Sequence, residues 1–546
     1  MTTLHERQSR IIRQTAQQAC RKPLQESGLW FHGDIRDNFY YASYLFVAAS
    51  KPYELPIQAQ SAMELAEKVM LKVLSLQDQD PDSSTYGHWP LNLGDCPEQA
   101  RIHPLPVELM GPLMVLFYSR YKEKLSPSLQ SAYDQAIRHM YQSRYYAEPL
   151  KLYHHHEAKH TAAGLIFAEY MQDEELLKAS HERVKATCAQ LKRHGMTEYG
   201  ILPWFWHWVQ AYATAWEIVQ SAEIKRDIEL LLEWLWMERA DYYLKGAWVG
   251  PQSRSLPHDA PADRNTAMDY VQFGDFDLTA ELPRVEYAGL LAYEVPEAVR
   301  SGAWNRSFPM ELKRTYPASI DEPERRLHSY VYMNDSYALG AMWERTLEFD
   351  NEQHRWDLTF PVSEGSVNQC CFLHPASEAQ AGTLRHSSDA ESIAIHRNAL
   401  AALYRPDAQE QGIVGVLPLG EWSCEQLGLI GQINDVFVTI HLMKPYEMET
   451  LSDRHLVRAS EAGFNGIVLE AMSRQEAADA GIHTLRQWSD RSLALAPRFI
   501  EQENALSVSF TSISGQSLTL KTSDHAPAVA TVNGSAVDFS DYKSMG

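Results

Sequence analysis

The sequence predicts an α+β multidomain protein, in which an N-terminal (α/α) toroid of helical hairpins is followed by a C-terminal antiparallel β-sandwich. Apolar residues recur at helical spacing from about residue 37 to residue 244, and from about residue 328 they alternate as in strands. The length of 546 residues is enough for several domains. We therefore expect a toroid domain over 1–327, which includes a loop-rich bridge over 246–327, and a β-sandwich domain over 328–546.

The predicted helices follow one another at short intervals, as in a series of antiparallel helix pairs. One helix is expected directly after Ser126, because serine is a good N-cap and Pro127 suits the first helical position. A helix over Arg284–Arg300 is expected inside the bridge. The other predicted helices are Ile57–Leu76, Val107–Tyr121, Ala158–Met171, Glu174–Leu191, Val209–Ser221 and Ile224–Tyr243.

The last part of the chain consists of short runs rich in β-branched residues and separated by turn residues. Examples are HSYVYM from His328 and DVFVTIHLM from Asp435. The pair Asn533-Gly534 predicts a type I′ hairpin turn near the end. These runs predict antiparallel sheets.

Composition excludes several functional classes. The 49 basic and 71 acidic residues give a net charge of −22, which argues against nucleic acid as a partner. No apolar run approaches the roughly 18 residues of a membrane helix, so no membrane partner is expected. Six scattered cysteines do not form a disulfide scaffold, and we expect Cys370 and Cys371 to be buried thiols. The N-terminus lacks the apolar core of a secretory signal, so we expect a cytoplasmic protein; a homo-oligomer is compatible with the sequence.

Three segments share an unusual composition of aromatic residues, glycine and histidine, and each precedes a helical run. They span residues 30–38, 84–90 and 199–208. In a ring of helix pairs, such loops gather at one end, where aromatic faces stack on sugar rings. The alternative is that these aromatic residues fill a helical core. The substrate-binding residues predicted from these segments are Arg36, His88, Trp89, Trp204 and Trp206.

A run of histidines lies between residues 153 and 160. His156 and His160 are four residues apart, which places two imidazoles on one helix face, as a metal site requires. No third ligand accompanies them, so we predict a substrate contact for His156 and no metal there; a structural role is the alternative. No cofactor is predicted, although a divalent cation in the β domain is compatible with the sequence.

The bridge concentrates side chains suited to catalysis. Arg254 suits a carboxylate, because its planar fork binds both oxygens. His258 and Tyr270 are residue types that transfer protons. The alternative is a loop held by its own ion pairs, such as Arg254 with Asp259.

A helical toroid followed by an antiparallel β-sandwich, with His, Tyr and Arg between them, resembles the heparinase II/III-like and related polysaccharide lyases. In those families a segment of the type Gly–Glu–small–Ser–x–x–Tyr–His follows the helical ring. The nearest match here is Gly250–His258, in which Leu256-Pro257 stands where the tyrosine would be. The Asn-His pair of the family has Trp206-His207 as a partial counterpart.

The resemblance implies β-elimination at a uronic acid in a carbohydrate substrate, either an oligosaccharide or a polysaccharide. An Arg or Asn would neutralise the carboxylate, and a Tyr or His would remove the C5 proton. The candidates for the base are His207, His258 and Tyr270, and Tyr332 is the candidate acid.

Three alternatives stay open: a glycoside hydrolase with paired carboxylates, a uronate epimerase, and a non-catalytic carbohydrate-binding or scaffold protein. The carboxylates available to a hydrolase near these loops are Asp34, Asp37, Glu157, Asp269 and Asp275.

Overall fold

The computed structural model describes most of the chain, with only the backbone for residues 202–204. The described residues are 2–198, 202–252, 266–280, 282, 285–344, 355–374, 390–405, 412–426, 428–523 and 526–544. Two compact units are present. Unit 1 comprises Met1–Arg193, Pro203–Met237 and Asn265–Arg300, and unit 2 comprises His194–Leu202, Glu238–Arg264 and Ser301–Gly546.

Helices make up most of unit 1. In chain order they are α1 (Leu4–Arg21), α2 (Ile35–Ala49), α3 (Ala59–Ser75), α4 (Leu105–Tyr121), α5 (Pro127–Ser143), α6 (His155–Met171), α7 (Glu174–His194), α8 (Leu202–Ile218), α9 (Ala222–Asp241) and α10 (Ala267–Gln272). A short pair of strands, β1 (Trp89–Pro90) and β2 (Ile102–His103), precedes α4.

These helices form two layers. Helix α2 buries 12 of its 15 residues, whereas α3 buries only 6 of 17, so α2 is packed on all sides and α3 on one face. Helices α4 and α6 are also buried nearly throughout, whereas α1 and α5 bury a single stripe. We therefore describe α2, α4, α6 and α8 as the inner helices, and their partners as the outer helices.

The inner helices close into a ring. Helix α4 contacts both α2 and α6, and α6 meets α8 where the rings of His155 and His207 lie 5.6 Å apart. The segment 285–291 completes the circuit through Tyr287. Its hydroxyl donates to Ser43 Oγ of α2 at 2.7 Å, and its backbone N–H donates to Gln210 Oε1 of α8 at 3.4 Å. The predicted (α/α) toroid is confirmed.

Unit 2 is built from strands. The remaining strands and helices, whose numbering continues from β2 and α10, are β3 (Tyr243–Leu244), β4 (Ala247–Trp248), α11 (Glu297–Trp304), β5 (Met310–Pro317), β6 (Arg326–Met333), β7 (Ala338–Met342), β8 (Trp356–Thr359), β9 (Gln369–Leu373), β10 (Glu391–His396), β11 (Ala399–Tyr404), β12 (Ile413–Pro418), β13 (Glu421–Glu425), β14 (Gly428–Ile433), β15 (Val436–Leu442), β16 (Glu447–Thr450), β17 (Arg454–Ala459), β18 (Asn465–Ser473), α12 (Arg474–Asp479), α13 (Leu485–Ala494), β19 (Arg498–Gln502), β20 (Ala505–Thr511), β21 (Ser517–Ser523), β22 (Val529–Val532), β23 (Ser535–Ala536) and β24 (Lys543–Ser544).

Three sheets stack in unit 2. A nine-stranded sheet has the order β16-β17-β12-β9-β8-β7-β6-β5-β24, a six-stranded sheet β10-β11-β18-β15-β14-β13, and a five-stranded sheet β19-β20-β21-β22-β23. All neighbours are antiparallel except β24 and β5. In the six-stranded sheet, Leu400 packs toward the nine-stranded sheet and Ala401 toward the five-stranded one. Because both of its faces are buried, strand β11 is apolar throughout.

The predicted fold class of helices followed by antiparallel sheets is confirmed. Four local details differ from the secondary structure that the sequence predicts. Helix α8 begins at Leu202, in a segment assigned to a loop. The helix expected over Arg284–Arg300 is observed only over Glu297–Trp304. The continuous series of strands begins with β5 at Met310 rather than at His328, since β5 pairs with β6. Residues 301–327 lie in unit 2. Two short helices, α12 and α13, interrupt the strands.

The predicted hairpin turn is confirmed. Asn533 and Gly534 both have positive φ, at 52° and 78°, and they join β22 to β23 as a type I′ turn requires. Among the helices described, none is both long and apolar enough to cross a bilayer.

Candidate active site

The N-terminal ends of the inner helices bring titratable side chains together in unit 1. Arg36 is the second residue of α2, Glu108 the fourth of α4, and His156 the second of α6. His207 lies in the second turn of α8. Helix N-termini carry partial positive charge, which favours negative groups near the first turn.

Glu108 is the centre of this cluster. Its Oε2 lies 2.7 Å from His156 Nδ1 and 2.5 Å from Lys159 Nζ, and its Oε1 lies 3.3 Å from His160 Nε2. Burial alone would raise the pKa of Glu108, but the Lys159 ammonium and the two imidazole donors hold that pKa far below its ordinary value. Glu108 therefore stays a carboxylate at neutral pH.

The contact with Glu108 fixes the protonation of His156. Burial lowers the pKa of His156, the hydrogen bond to Glu108 raises it, the Lys159 charge lowers it, and the balance is a lowered pKa. His156 is thus neutral at pH 7, and Lys159 supplies the positive charge that Glu108 needs. A neutral imidazole beside a carboxylate donates from Nδ1, which leaves the lone pair on Nε2. His156 Nε2 has no hydrogen-bond partner among the described residues, and 33% of the side chain is exposed.

A second group of side chains continues the cluster along the ring. The ring of His155 lies 4.1 Å from that of His156 and 5.6 Å from that of His207. His207 Nε2 in turn lies 3.8 Å from Oε1 of Glu286, which belongs to the segment that closes the ring. Three neighbouring imidazoles therefore connect Glu108 with Glu286.

Arg36 lies close to Glu286 and is anchored by Asp34. Arg36 Nε and Nη2 donate to Asp34 at 3.0 and 2.6 Å, and Nη1 makes no hydrogen bond to any described residue. Burial lowers the pKa of Arg36, but the Asp34 carboxylate outweighs it, so the pKa is raised. Beside them, burial and then Glu286 raise the pKa of Tyr40 well above its ordinary value, so its hydroxyl keeps its proton.

His88 and Tyr145 adjoin the cluster through His160. Their rings are 5.9 Å apart, and the Tyr145 ring is also 5.9 Å from that of His160. Burial lowers the pKa of His88 and raises that of Tyr145 well above its ordinary value. Both side chains are therefore neutral at pH 7.

The structure brings together four residues that the sequence singled out, namely Arg36, His88, His156 and His207. Two others are core residues. Trp89 is fully buried, and its Nε1 donates to the Val73 carbonyl at 2.9 Å. Trp206 is 3% exposed and packs 5.4 Å from Trp236. Neither ring offers a face on which a sugar could stack, so the core-filling alternative describes both.

Two predicted tyrosines are engaged elsewhere. The buried Tyr270 hydroxyl accepts a hydrogen bond from Arg10 Nη1 of the outer helix α1 at 2.7 Å. In unit 2, the Tyr332 hydroxyl donates to Glu476 Oε1 at 2.5 Å, and burial together with that carboxylate raises the pKa of Tyr332. Arg254 and His258 lie outside the described residues, as does the side chain of Trp204.

Three of the carboxylates considered for a hydrolase are either bonded to backbone groups or fully buried. Glu157 accepts hydrogen bonds from the backbone N–H groups of residues 151–153 at 2.7–3.2 Å. Asp34 caps α2 by accepting from the Arg36 backbone N–H at 2.9 Å. Asp269 is fully buried in α10. Asp34 and Glu157 therefore serve as local acceptors for backbone N–H groups.

The sequence did not single out several members of the cluster, namely Tyr40, Glu108, Tyr145, Lys159 and Glu286. A signal for Glu108 existed, because it is the single carboxylate of helix α4 and the only polar side chain between Leu105 and Phe117, and such a group needs a partner. The four-residue spacing of His156 and His160 indicated a shared helix face, but their common partner Glu108 lies on another helix.

No group of three or more His, Cys, Asp and Glu side chains described here could hold a metal ion. Cys370 and Cys371 are buried free thiols, as predicted, and burial raises the pKa of both.

Comparisons with solved structures find several chains that match over most of this chain. A heparinase III has a TM-score of 0.39 and 9% identity, covering 96% of this chain and 91% of that one. The heparan sulfate lyase HepC of Pedobacter heparinus has a TM-score of 0.36 and 10% identity, covering 95% and 90%. A single-residue mutant of the chondroitin AC lyase of Streptomyces coelicolor A3 has a TM-score of 0.40 and 9% identity, covering 97% and 89%. No protein-family model and no curated protein sequence matches the chain.

Proposed function

We propose that this chain is a lyase that cleaves a uronic-acid-containing oligosaccharide or polysaccharide by β-elimination. One observation carries the proposal: the imidazole of His156 is held by Glu108 through Nδ1 and presents an Nε2 lone pair with no partner in the described part of the chain. A neutral, oriented imidazole is the usual general base near pH 7.

The reaction needs a base, a partner for the carboxylate and a proton for the leaving oxygen. His156 Nε2 removes the C5 proton of the uronate, a C4–C5 double bond forms, and the C4–O bond to the next sugar breaks. When both groups leave from one face of the ring, the imidazolium formed on His156 returns the proton to the departing oxygen.

The negative charge that develops on the carboxylate has candidate partners in the same cluster. Arg36 uses Nε and Nη2 to hold Asp34, and its Nη1 is available for a carboxylate oxygen. The N-terminal ends of the inner helices add partial positive charge at the same place.

The cluster supports elimination better than hydrolysis with paired carboxylates. A hydrolase needs one carboxyl group that is protonated near neutral pH, in order to donate to the leaving oxygen. Glu108 stays ionised, and Asp34 and Glu157 are used to cap and hold α2 and α6. The uronate epimerase shares the base with the lyase, and the product distinguishes the two.

The test is incubation of the full-length protein with a panel of uronic-acid polysaccharides and their oligosaccharides, monitored by the ultraviolet absorbance of the conjugated uronate product. We expect absorbance to rise with at least one substrate. New reducing ends without absorbance would indicate the hydrolase instead, and no reaction with any member of the panel would count against an enzyme of this class.

A matched pair of variants ties the activity to His156. The variant His156→Gln should lower turnover by about 10²–10⁴-fold, as expected for the loss of a general base. The control His483→Gln replaces an exposed histidine of unit 2 and should leave turnover unchanged. Equal turnover in both variants would contradict the role of His156.

A further inference from the structure

We propose that Lys159 is a positioning residue: by pairing with Glu108, it keeps His156 neutral and holds the imidazole in the Nδ1–H form. The catalytic consequence rests on the proposed function, whereas the effect on His156 itself does not.

The geometry places two donors on one oxygen. Lys159 Nζ lies 2.5 Å from Glu108 Oε2, and His156 Nδ1 lies 2.7 Å from the same atom. The Lys159 side chain is only 2% exposed, so its charge is nearly removed from water. A buried ammonium is tolerated when it is paired with an opposite charge. Glu108 therefore has two roles: it is the counter-charge of Lys159, and it accepts the hydrogen bond from His156.

This sharing decides which form of His156 is stable. A carboxylate 2.7 Å away would by itself favour the imidazolium, because an opposite charge stabilises the charged form. With Lys159 in place, the negative charge of Glu108 is compensated, and the nearby ammonium opposes a second positive charge on His156. The titratable groups that surround His156, directly or through one neighbour, are Glu108, His154, His155, Lys159, His160 and His207.

The hydrogen bond then sets the tautomer. Because Glu108 can only accept, the single proton of neutral His156 lies on Nδ1, and the lone pair lies on Nε2. Lys159 thus preserves the base without touching the substrate. A lysine that only filled space would leave the protonation of His156 unchanged.

The experiment removes the charge of Lys159 in the full-length chain. Lys159→Met keeps the length of the side chain, and Lys159→Gln also keeps a donor beside Glu108, so that a folded variant is obtained even where the methionine is not tolerated. The readout is NMR of ¹⁵N-labelled histidine, with the His156 signal assigned from His156→Gln. We expect the pKa of His156 to rise by about one unit or more in each folded variant.

Two further variants control the measurement. Lys159→Arg keeps the positive charge and should keep the low pKa of His156. Lys185→Met removes a lysine of α7 that is 43% exposed and pairs with Glu182, and it should have no effect on His156.

The enzymatic readout is the pH dependence of kcat/KM for uronate cleavage. Its acidic limb should move to higher pH by the same amount as the pKa of His156, whereas lost stability alone would not move it. An unchanged pKa and tautomer of His156 in the variants without the lysine charge would overturn the inference, whatever the activity. A raised pKa in a protein without lyase activity would support the inference and remove the proposed function.

Discussion

The buried carboxyl group of Glu238 should make the stability of the protein depend on pH. Glu238 lies in the last turn of α9 and is buried in unit 2, where the Tyr316 hydroxyl donates to its Oε1 at 2.7 Å. Burial raises the pKa of Glu238 to about 8, and the hydrogen bond from Tyr316 only partly opposes this. Glu238→Gln keeps the shape and the acceptor oxygen but cannot ionise, so it removes this dependence.

The sign and size follow from proton linkage. In the unfolded chain Glu238 titrates near its ordinary value of 4.5, so between that pH and about 8 the folded state binds more protons than the unfolded state. The contribution of Glu238 to stability is therefore fully present below about pH 4.5 and is lost as pH rises. At about 1.4 kcal/mol for each pKa unit, the total loss by pH 8 and above is at most about 5 kcal/mol.

The assay is urea unfolding of the parent and Glu238→Gln at about pH 5 and about pH 8.5. The two proteins should be similarly stable at the lower pH, and the variant should be more stable by several kcal/mol at the higher pH. Glu503→Gln, at an exposed position, is the matched control and should follow the parent. A difference between parent and Glu238→Gln that is the same at both pH values would refute the reasoning.

Three other substitutions separate catalytic from structural roles. In Arg36→Lys, the lysine can hold Asp34 or a substrate carboxylate but not both. The loss of one charge-assisted hydrogen bond, worth about 1.5–3 kcal/mol, should therefore lower kcat/KM by about 10–100-fold. Initial rates within threefold of the parent would contradict this. Trp89→Phe should cost about 1–3 kcal/mol of stability through the lost contact with Val73 and the space left behind, with turnover unchanged in the folded fraction. Tyr332→Phe should likewise lower stability without changing turnover. A large loss of turnover in Trp89→Phe or in Tyr332→Phe would show that the substituted residue belongs to the active site.

Much of the fold was predictable, because long periodic segments carry their own signal. Helix α3 was predicted over Ile57–Leu76 and is observed over Ala59–Ser75. The start of α8 was missed, because a run of aromatic residues after Pro203 suggested a loop, although these residues suit a helix that is packed on several sides.

The site was predictable only in part, since its chemistry depends on which helices are neighbours. His156 and His207 were recognised from local composition, whereas Lys159 was not, because its partner Glu108 lies on another helix, 51 positions earlier in the chain. The error at Trp89 has the same origin: nothing in the local sequence shows that its indole meets the carbonyl of Val73. Local sequence patterns show which side chains are suited to a site, whereas the packing of the helices in the ring determines which of these side chains are in contact.

The central claim is that His156 removes the C5 proton of a uronate and that the adjacent C4–O bond then breaks. The most direct measurement is NMR of the products formed in D₂O by the full-length protein from the best substrate of the panel. The proposed mechanism predicts a new non-reducing end with a C4–C5 double bond and one vinyl proton at C4. Saturated ends beside new reducing sugars, or deuterium at C5 of an uncleaved chain, would contradict it.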